Sequence, residues 1–463
     1  MRREIRGGFS TFFTMAYIVV LNGLIMGFQK DSTGHFLGGG TAPNLAGIAV
    51  ATAVVAGVMS FLMGAIANYP LALATGLGLN AYVTFAVAPT MPWSDVMGLI
   101  VIEGLVMLAL VLSGFRVAVF NAVPLALKKA ISVGIGLFIA FIGLFDGGVV
   151  RKAPAVPVQL GVDGTLSGWP TFVFVVGMLV IVVLLVRGKH GGILWGIVGA
   201  TVLAVVVERI KHVGGQTDAS GKLVNPHGWS LNVPKWPDNV VGTPHFDTMF
   251  HVSFGAFHHA GIVSSVLVIF TMLLSNFFDT MGTMTAIGDE AGLLDANGVP
   301  PNPGRILAVD SLAGTAGGLG GVSSATAYIE SASGVAAGAR TGLSSIVVGL
   351  LFGLATFLSP LVKVVPYEAA TPALVIVGFL MMQQARDIKW GDVEIALPAF
   401  LTIILMPFTY SIANGIGAGF IAYTVIKLAK GKAREVHPLM WIVSVAFVVY
   451  FALDPIKSWL GVS

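Results

Sequence analysis

Gly317-Gly318-Leu319-Gly320-Gly321-Val322-Ser323-Ser324-Ala325-Thr326-Ala327-Tyr328-Ile329-Glu330 is apolar for most of its length, yet its opening cannot be a regular helix. Glycine at that density makes helix too costly there. A helix begins around Ser323 or later, with Ser or Thr as its cap. Glu330 then falls in the first turns of a half-helix, where the dipole also favours an anion or a polar ligand. Pro70-Leu71-Ala72-Leu73-Ala74-Thr75-Gly76-Leu77-Gly78-Leu79-Asn80-Ala81-Tyr82 has the same grammar: an extended apolar piece, glycines, then a polar residue opening a helix. Two Gly-interrupted segments, one in each half and roughly 250 residues apart, point to a midplane site and an inverted repeat of about seven spans per half. Neither run is a dinucleotide fingerprint, because no soluble βαβ unit surrounds it.

Composition agrees. Of the 463 residues, 56% are hydrophobic and 10% charged, against about 25% charged in a soluble domain. The mean hydropathy is +0.90. Such a chain is an integral membrane protein. Its formal charge of +3 is too small for a nucleic-acid surface. It has no cysteine, which removes disulfides, thiolate nucleophiles, iron–sulfur clusters and Cys-ligated zinc. Glycine supplies 59 residues, well above the usual share of about 7%, as tight helix contacts and broken helices require.

A span needs about 20 apolar residues. The stretches 11–28, 42–66, 94–114, 128–146, 168–187, 192–208, 262–288, 341–363, 369–385 and 437–455 qualify or nearly do. Irregular apolar segments at 70–90, 305–320, 321–336 and 396–428 bring the total to about fourteen. The fold class is therefore an all-α polytopic membrane protein; continuous apolar runs without period-two alternation exclude a β-barrel. The first run is read as a retained helix, not a cleaved signal, because it leads into further spans.

Arg2, Arg3 and Arg6 place the amino terminus in the cytoplasm, and Arg116, Lys128, Lys129, Arg187 and Lys189 agree. Segment 209–261 then lies outside, with Trp229, Trp236, Phe246, Phe250, Phe254 and Phe257 and an amphipathic tail suited to the interface. His251, His258 and His259 share no spacing with a further ligand, so no metal site is read there. Asp295-Ala296-Asn297-Gly298 lacks the remaining ligands of a calcium loop. Lys427, Lys430, Lys432 and Arg434 favour the cytoplasm, which fits two short spans broken near Ser411 and leaves the last apolar stretch as an extra span or an interfacial helix.

Four acids lie well inside apolar segments: Glu103, Asp279, Asp310 and Glu330. No Lys or Arg shares those segments, so each is a functional hypothesis. Desolvation disfavours the charge of an unpaired carboxylate, so these groups suit a carrier that takes up and releases protons. Asn276, Asp279, Thr280 and Thr283 follow i, i+3, i+4, i+7 and share one helix face, which must meet protein or a water-filled cavity. Helix–helix hydrogen bonding explains the Asn and Thr residues as well, but a neutral Asn would serve that purpose better than Asp279.

Ser10-Thr11-Phe12-Phe13-Thr14-Met15-Ala16-Tyr17-Ile18, Gly76-Leu77-Gly78-Leu79-Asn80-Ala81-Tyr82, Phe278-Asp279-Thr280-Met281-Gly282-Thr283, Ser323-Ser324-Ala325-Thr326-Ala327-Tyr328-Ile329-Glu330-Ser331 and Leu397-Pro398-Ala399-Phe400 with its continuation to Ile412 are similar to the motifs of AzgA-like purine permeases. These form a branch of the nucleobase:cation symporter-2 (nucleobase–ascorbate transporter) superfamily. The resemblance implies fourteen spans in two inverted seven-span repeats, with short strands in spans 3 and 10. It implies a core domain formed by 1–114 and 262–363, a gate domain formed by 115–208 and 364–463, and an extracytoplasmic loop with an interfacial helix at 209–261. Substrate is then expected between the strands and span 8, with Asn80, Asn276, Asp279, Thr280, Thr326 and Glu330 as substrate-binding residues and Asp279 and Glu330 as proton-coupling residues. Many relatives carry an acid at the position of Asn276.

A purine offers a planar face and an edge of alternating donors and acceptors. A carboxylate accepts from ring N–H, a protonated carboxyl donates, and an Asn side chain does both. Phe277, Phe278 and Tyr328 are candidates to pack on the ring. The leading expectation is a proton symporter importing purine nucleobases (adenine, guanine, hypoxanthine) by alternating access. It would be a multi-pass protein of the cell membrane, not an enzyme, without cofactor or nucleic-acid partner, with H⁺ and membrane lipid as further partners and a homodimer left open. The alternatives are an anion carrier of the same fold and a Na⁺-coupled nucleobase carrier.

Overall fold

The computed structural model describes residues 1–113, 123–153, 156–189, 191–217, 223–230, 232–237, 239–295 and 299–452. Arg116, Asn297, Gly298 and the end of the last apolar stretch lie outside them. The first half contains α1 (Arg2–Met15), α2 (Tyr17–Gly27), α3 (Leu45–Leu62), β1 (Leu73–Thr75), α4 (Leu77–Tyr82), α5 (Trp93–Leu112), α6 (Leu125–Asp146), a small hairpin of β2 (Val150–Arg151) and β3 (Gln159–Leu160), α7 (Trp169–Val186) and α8 (Gly192–Lys211). The second half contains α9 (Ala256–His259), α10 (Ile262–Ala291), α11 (Pro303–Leu319), β4 (Ala325–Ala327), α12 (Ser331–Ala336), α13 (Leu343–Ala355), α14 (Tyr367–Met382), α15 (Val393–Phe408), α16 (Ile412–Ala429) and α17 (Pro438–Phe451). Seven helical segments among the described residues are long and apolar enough to cross a membrane. Val183, Val186, Trp195, Leu354 and Phe408 stand exposed on the outside, as a lipid-facing surface requires.

The halves repeat one another. Each has a helix pair, then a strand, then a six-residue helix (α4 and α12). Asn22 donates to Thr52 at 2.7 Å in the first pair, and Thr280 donates to Asp310 at 2.8 Å in the second. In both cases the partners are 30 residues apart. The same polar bridge thus joins equivalent helices. β1 and β4 meet antiparallel, with Leu73 opposite Ala327, Ala74 opposite Thr326 and Thr75 opposite Ala325. Gly76 N–H to the Ser324 carbonyl and Tyr328 N–H to the Ala72 carbonyl extend the pairing at both ends. Ser60 Oγ satisfies the N–H and carbonyl of Leu73, and Ser331 Oγ accepts from the N–H of Ala72. Extended backbone within the membrane needs such partners, since lipid offers none.

Gly317, Gly318 and Leu319, expected to lie outside regular helix, instead form the last turn of α11, and the break falls at Gly320–Gly321. α11 ends in a Schellman motif: Val322 N–H bonds the Gly317 carbonyl, Gly321 N–H bonds that of Gly318, and Gly321 sits at φ +66°. The strand occupies 325–327, so the next helix begins at Ser331, within the expected range of Ser323 or later, but with Glu330 at its N-cap in place of the expected Ser or Thr. The backbone beyond Ser323 is committed to strand pairing. α5 and α11 approach closely at glycines: a Cβ on Gly104 would lie 2.3 Å from the Thr315 nitrogen, and one on Gly318 would lie 2.7 Å from the Met97 carbonyl oxygen. This close packing brings Glu103 of α5 to the strand end.

The helices pack in two sets. α1, α2, α3, α5, α11, α12 and α13 pack among themselves, and so do α6, α7, α8, α14, α15, α16 and α17. Segment 396–428 divides into α15 and α16 at Thr409–Ser411, where Tyr410 takes φ +53° and Ser411 accepts from the Asn414 N–H. α17 packs on α16 through Phe420 against Phe447 and a bond from Thr424 to Ser444. Beyond the end of α8 at Lys211, the helix found within the described part of 209–261 is the single turn α9. His259 there pairs with Asp95, and His251 contacts the Asp247 carbonyl oxygen.

Candidate functional site

Elements of both halves meet at the strand pair: α2, α3, α10 and α11 pack on it, α5 brings Glu103 and α4 brings Asn80. The four intramembrane acids divide there into two kinds. Glu103 and Asp310 are fully buried, and both are bonded. Glu103 accepts from Asn276 Nδ2 at 3.1 Å and from Ser324 Oγ at 2.9 Å, and Asn276 Nδ2 also donates to Ser324 Oγ at 3.0 Å. Asp310 accepts from Thr280 Oγ1 at 2.8 Å, and that hydroxyl lies 2.8 Å from Thr326 Oγ1. Asp279 and Glu330 keep accessible surface instead: Asp279 is exposed, and Glu330, which accepts from Tyr17, is partly so. Asp279 is near enough to feel the charge of Glu330, and Tyr328 lies beside both. An acid on a lipid-facing surface is untenable, so the surface these two present must meet protein or water.

The expected site residues converge, though in different states. Asn276, Thr280 and Thr326 are buried and hydrogen-bonded within the protein. Asn80 is buried on α4, with Nδ2 3.4 Å from Thr75 Oγ1. The Oδ1 atoms of Asn80 and Asn276 have no protein donor among the described residues. Both are acceptors in need of a partner, because an unpaired buried acceptor costs about 1–3 kcal/mol. Tyr328 is buried and donates to the Thr75 carbonyl at 2.7 Å, which ties β4 to β1 once more. Phe277 packs with Met107 and Leu273, away from the strands, and the side chain of Phe278 is outside the described set. α4 and α12 are too short, at six residues each, for their dipoles to dominate, so recognition falls to side chains.

Two contributors had no role assigned from the sequence. Ser324 links Glu103 to Asn276. Tyr17, fully buried, donates to Glu330 Oε1 at 2.5 Å across 313 residues of sequence. A tyrosine inside an apolar span needs a partner for its hydroxyl. That was the available signal, but it does not name the partner.

The family model described as "Permease family" matches residues 2–418. The chain belongs to this family. The permease is 38% identical over 455 residues to the guanine/hypoxanthine permease PbuG of Bacillus subtilis, covering 97% of this chain and 96% of that one. It is 36% identical to the adenine permease AdeP of Escherichia coli, with 97% and 92% covered. Among solved structures, the transmembrane domain of the cyanobacterium bicarbonate transporter BicA superposes with TM-score 0.61 at 14% identity, over 89% of this chain and 97% of that one. That likeness shows a shared transporter fold and nothing of substrate. The permease is thus a multi-pass membrane transporter of the nucleobase:cation symporter-2 superfamily, not an enzyme.

Proposed function

We propose that this permease imports purine nucleobases by proton symport, with Asp279 and Glu330 as the groups that both bind the base and exchange the coupling proton. One observation carries the reading: of the four buried-segment acids, Asp279 and Glu330 keep accessible surface, while Glu103 and Asp310 are buried against Asn276, Ser324 and Thr280. Two carboxylates facing one cavity suit the N–H groups of a purine edge, and Asn80 and Asn276 add acceptors. Thr280 and Thr326 shape the wall between them. The relatives named for guanine, hypoxanthine and adenine support the substrate class.

The coupling follows from charge. Two carboxylates in one cavity repel when both are ionised, so a proton taken up with the substrate relieves the repulsion. The α1–α5 and α10–α13 elements form the moving core (1–114 and 262–363), and α6–α8 with α14–α17 form the gate (115–208 and 364–463), with the amino terminus cytoplasmic in the cell membrane. Tyr367, which donates to the Leu24 carbonyl at 3.0 Å, joins the two sets at one end. Uptake of radiolabelled guanine, hypoxanthine and adenine into proteoliposomes tests the reading. Accumulation driven by an inward proton gradient and abolished by a protonophore supports it. Uptake that ignores pH and requires Na⁺ favours the sodium-coupled alternative, and bicarbonate uptake without purine uptake favours the anion carrier.

A further inference from the structure

We propose that Tyr17 is a positioning residue for purine binding, its hydroxyl holding the Glu330 carboxylate in the one orientation that meets the substrate. The inference rests on the reading of Glu330 as a purine ligand and goes beyond it.

Tyr17 lies next to Ala16, where α1 gives way to α2. Ser10, Thr14 and Tyr17 follow i, i+4, i+7 and form one polar stripe on an otherwise apolar segment. Every member of the stripe bonds to the start of α12. Ser10 Oγ donates to the Ser333 carbonyl at 3.2 Å, Thr14 Oγ1 donates to Ser333 Oγ at 2.9 Å, and Tyr17 donates to Glu330 Oε1. The stripe thus sets the height and rotation of α12 against the first helix. Its last member fixes the functional side chain itself. A glutamate has three side-chain torsions and loses about 1.5–2 kcal/mol of rotamer freedom when ordered. With Oε1 held by a fully buried donor, that ordering is complete before substrate arrives, and Oε2 is presented in a fixed plane. Such preorganisation raises affinity without adding a substrate contact. The Glu330 N-cap carries no side-chain capping bond of its own, so the helix terminus does not do this work instead.

The test is a double-mutant cycle read as binding of radiolabelled guanine, hypoxanthine and adenine to purified protein, with Tyr69→Phe as a control. Tyr69 is another fully buried tyrosine, bonded to the Met284 carbonyl at 2.7 Å. Tyr17→Phe should weaken binding of the preferred purine about 10-fold, the lower end for loss of a hydrogen bond to a charged group. In a Glu330→Gln background the same change should cost less than about 2-fold, because there is no charge left to orient. Tyr69→Phe should leave affinity unchanged in both backgrounds. Wild-type affinity in Tyr17→Phe, with Glu330→Gln impaired, overturns the positioning role and leaves the site reading intact. Equal losses in both backgrounds also overturn it, since a packing defect does not depend on the charge at 330. Wild-type affinity in Glu330→Gln overturns the site reading itself. If Tyr17→Phe purifies poorly, competition of purines for uptake in intact cells reports the same affinity independently of carrier number.

Discussion

Replacing Gly321 by alanine puts the whole broken-span geometry to the test. At φ +66° an L-residue pays about 1–2 kcal/mol. A Cβ there would lie 2.0 Å from the Thr248 carbonyl oxygen and 2.9 Å from its carbon. Those are backbone atoms, so the clash cannot be relieved by a rotamer change, and overpacking of this kind adds about 1–3 kcal/mol. The expected loss is about 2–5 kcal/mol in total. Gly431 separates the two contributions, since it has φ +70° with nothing within 4 Å of an added Cβ. Gly431→Ala should therefore show the conformational part alone. Thermal unfolding of purified protein, followed by the fluorescence of its 8 tryptophans, should give a midpoint drop for Gly321→Ala at least twice that for Gly431→Ala. Uptake should fall as well, because Gly321 leads directly into Ser324, Thr326 and Glu330. Equal midpoints for the two variants, or a Gly321→Ala protein with wild-type stability and uptake, would refute the described turn.

Three further outcomes are expected. Burial works against the Asp31 charge, but hydrogen bonds from Thr33, Trp93 and His35 outweigh it and hold its carboxyl below the ordinary 3.8. A depressed folded value means stabilisation that is present at neutral pH and fades as pH falls through the carboxylate range. Asp31→Asn should then lower the unfolding midpoint at pH 7, and its difference from wild type should shrink as pH falls below the ordinary 3.8; a gap that widens with acid would contradict this. Glu103→Gln replaces one of the two oxygens that accept from Asn276 Nδ2 and Ser324 Oγ with an NH2 donor, so the amount of folded carrier should drop several-fold while the survivors keep purine affinity within about 3-fold; size-exclusion yield and cell-based competition read the two separately. The absence of cysteine makes single-Cys labelling free of background: Gly34→Cys should react from outside intact cells and Arg434→Cys only after the cytoplasmic face is opened, and the reverse pattern would invert the orientation.

Much of this architecture was legible in local sequence because glycine and charge act locally. The runs around Gly76–Gly78 and Gly317–Gly321 mark where the spans break, although Gly78 lies within α4 and Gly317 and Gly318 within α11, and the break near Ser411 could be inferred from the charges that follow it. The four acids were visible for the same reason: each stands alone in an apolar stretch. Their roles were not. Asp279 and Asp310 look alike in sequence, and only the fold shows that Thr280 occupies one and leaves the other open. Likewise, nothing local pairs Ala74 with Thr326 or aims Tyr17 at Glu330, since each contact spans more than half the chain. The cap of α12 is Glu330 and not the Ser or Thr that cap propensity favours, because strand pairing takes up residues 325–327. Tertiary hydrogen bonds won over local preference there.

Purine binding to purified Glu330→Gln and Asp279→Ala measures the central claim most directly. Glu330→Gln keeps shape and most hydrogen-bonding capacity, so its affinity should fall on the order of 10- to 150-fold, the span set by losing a hydrogen bond to a charged group. Asp279→Ala removes the group altogether and should fall further. A pair of merely structural acids would reduce the yield of folded protein and leave the affinity of the remainder untouched. Wild-type purine affinity in both purified variants would contradict the account.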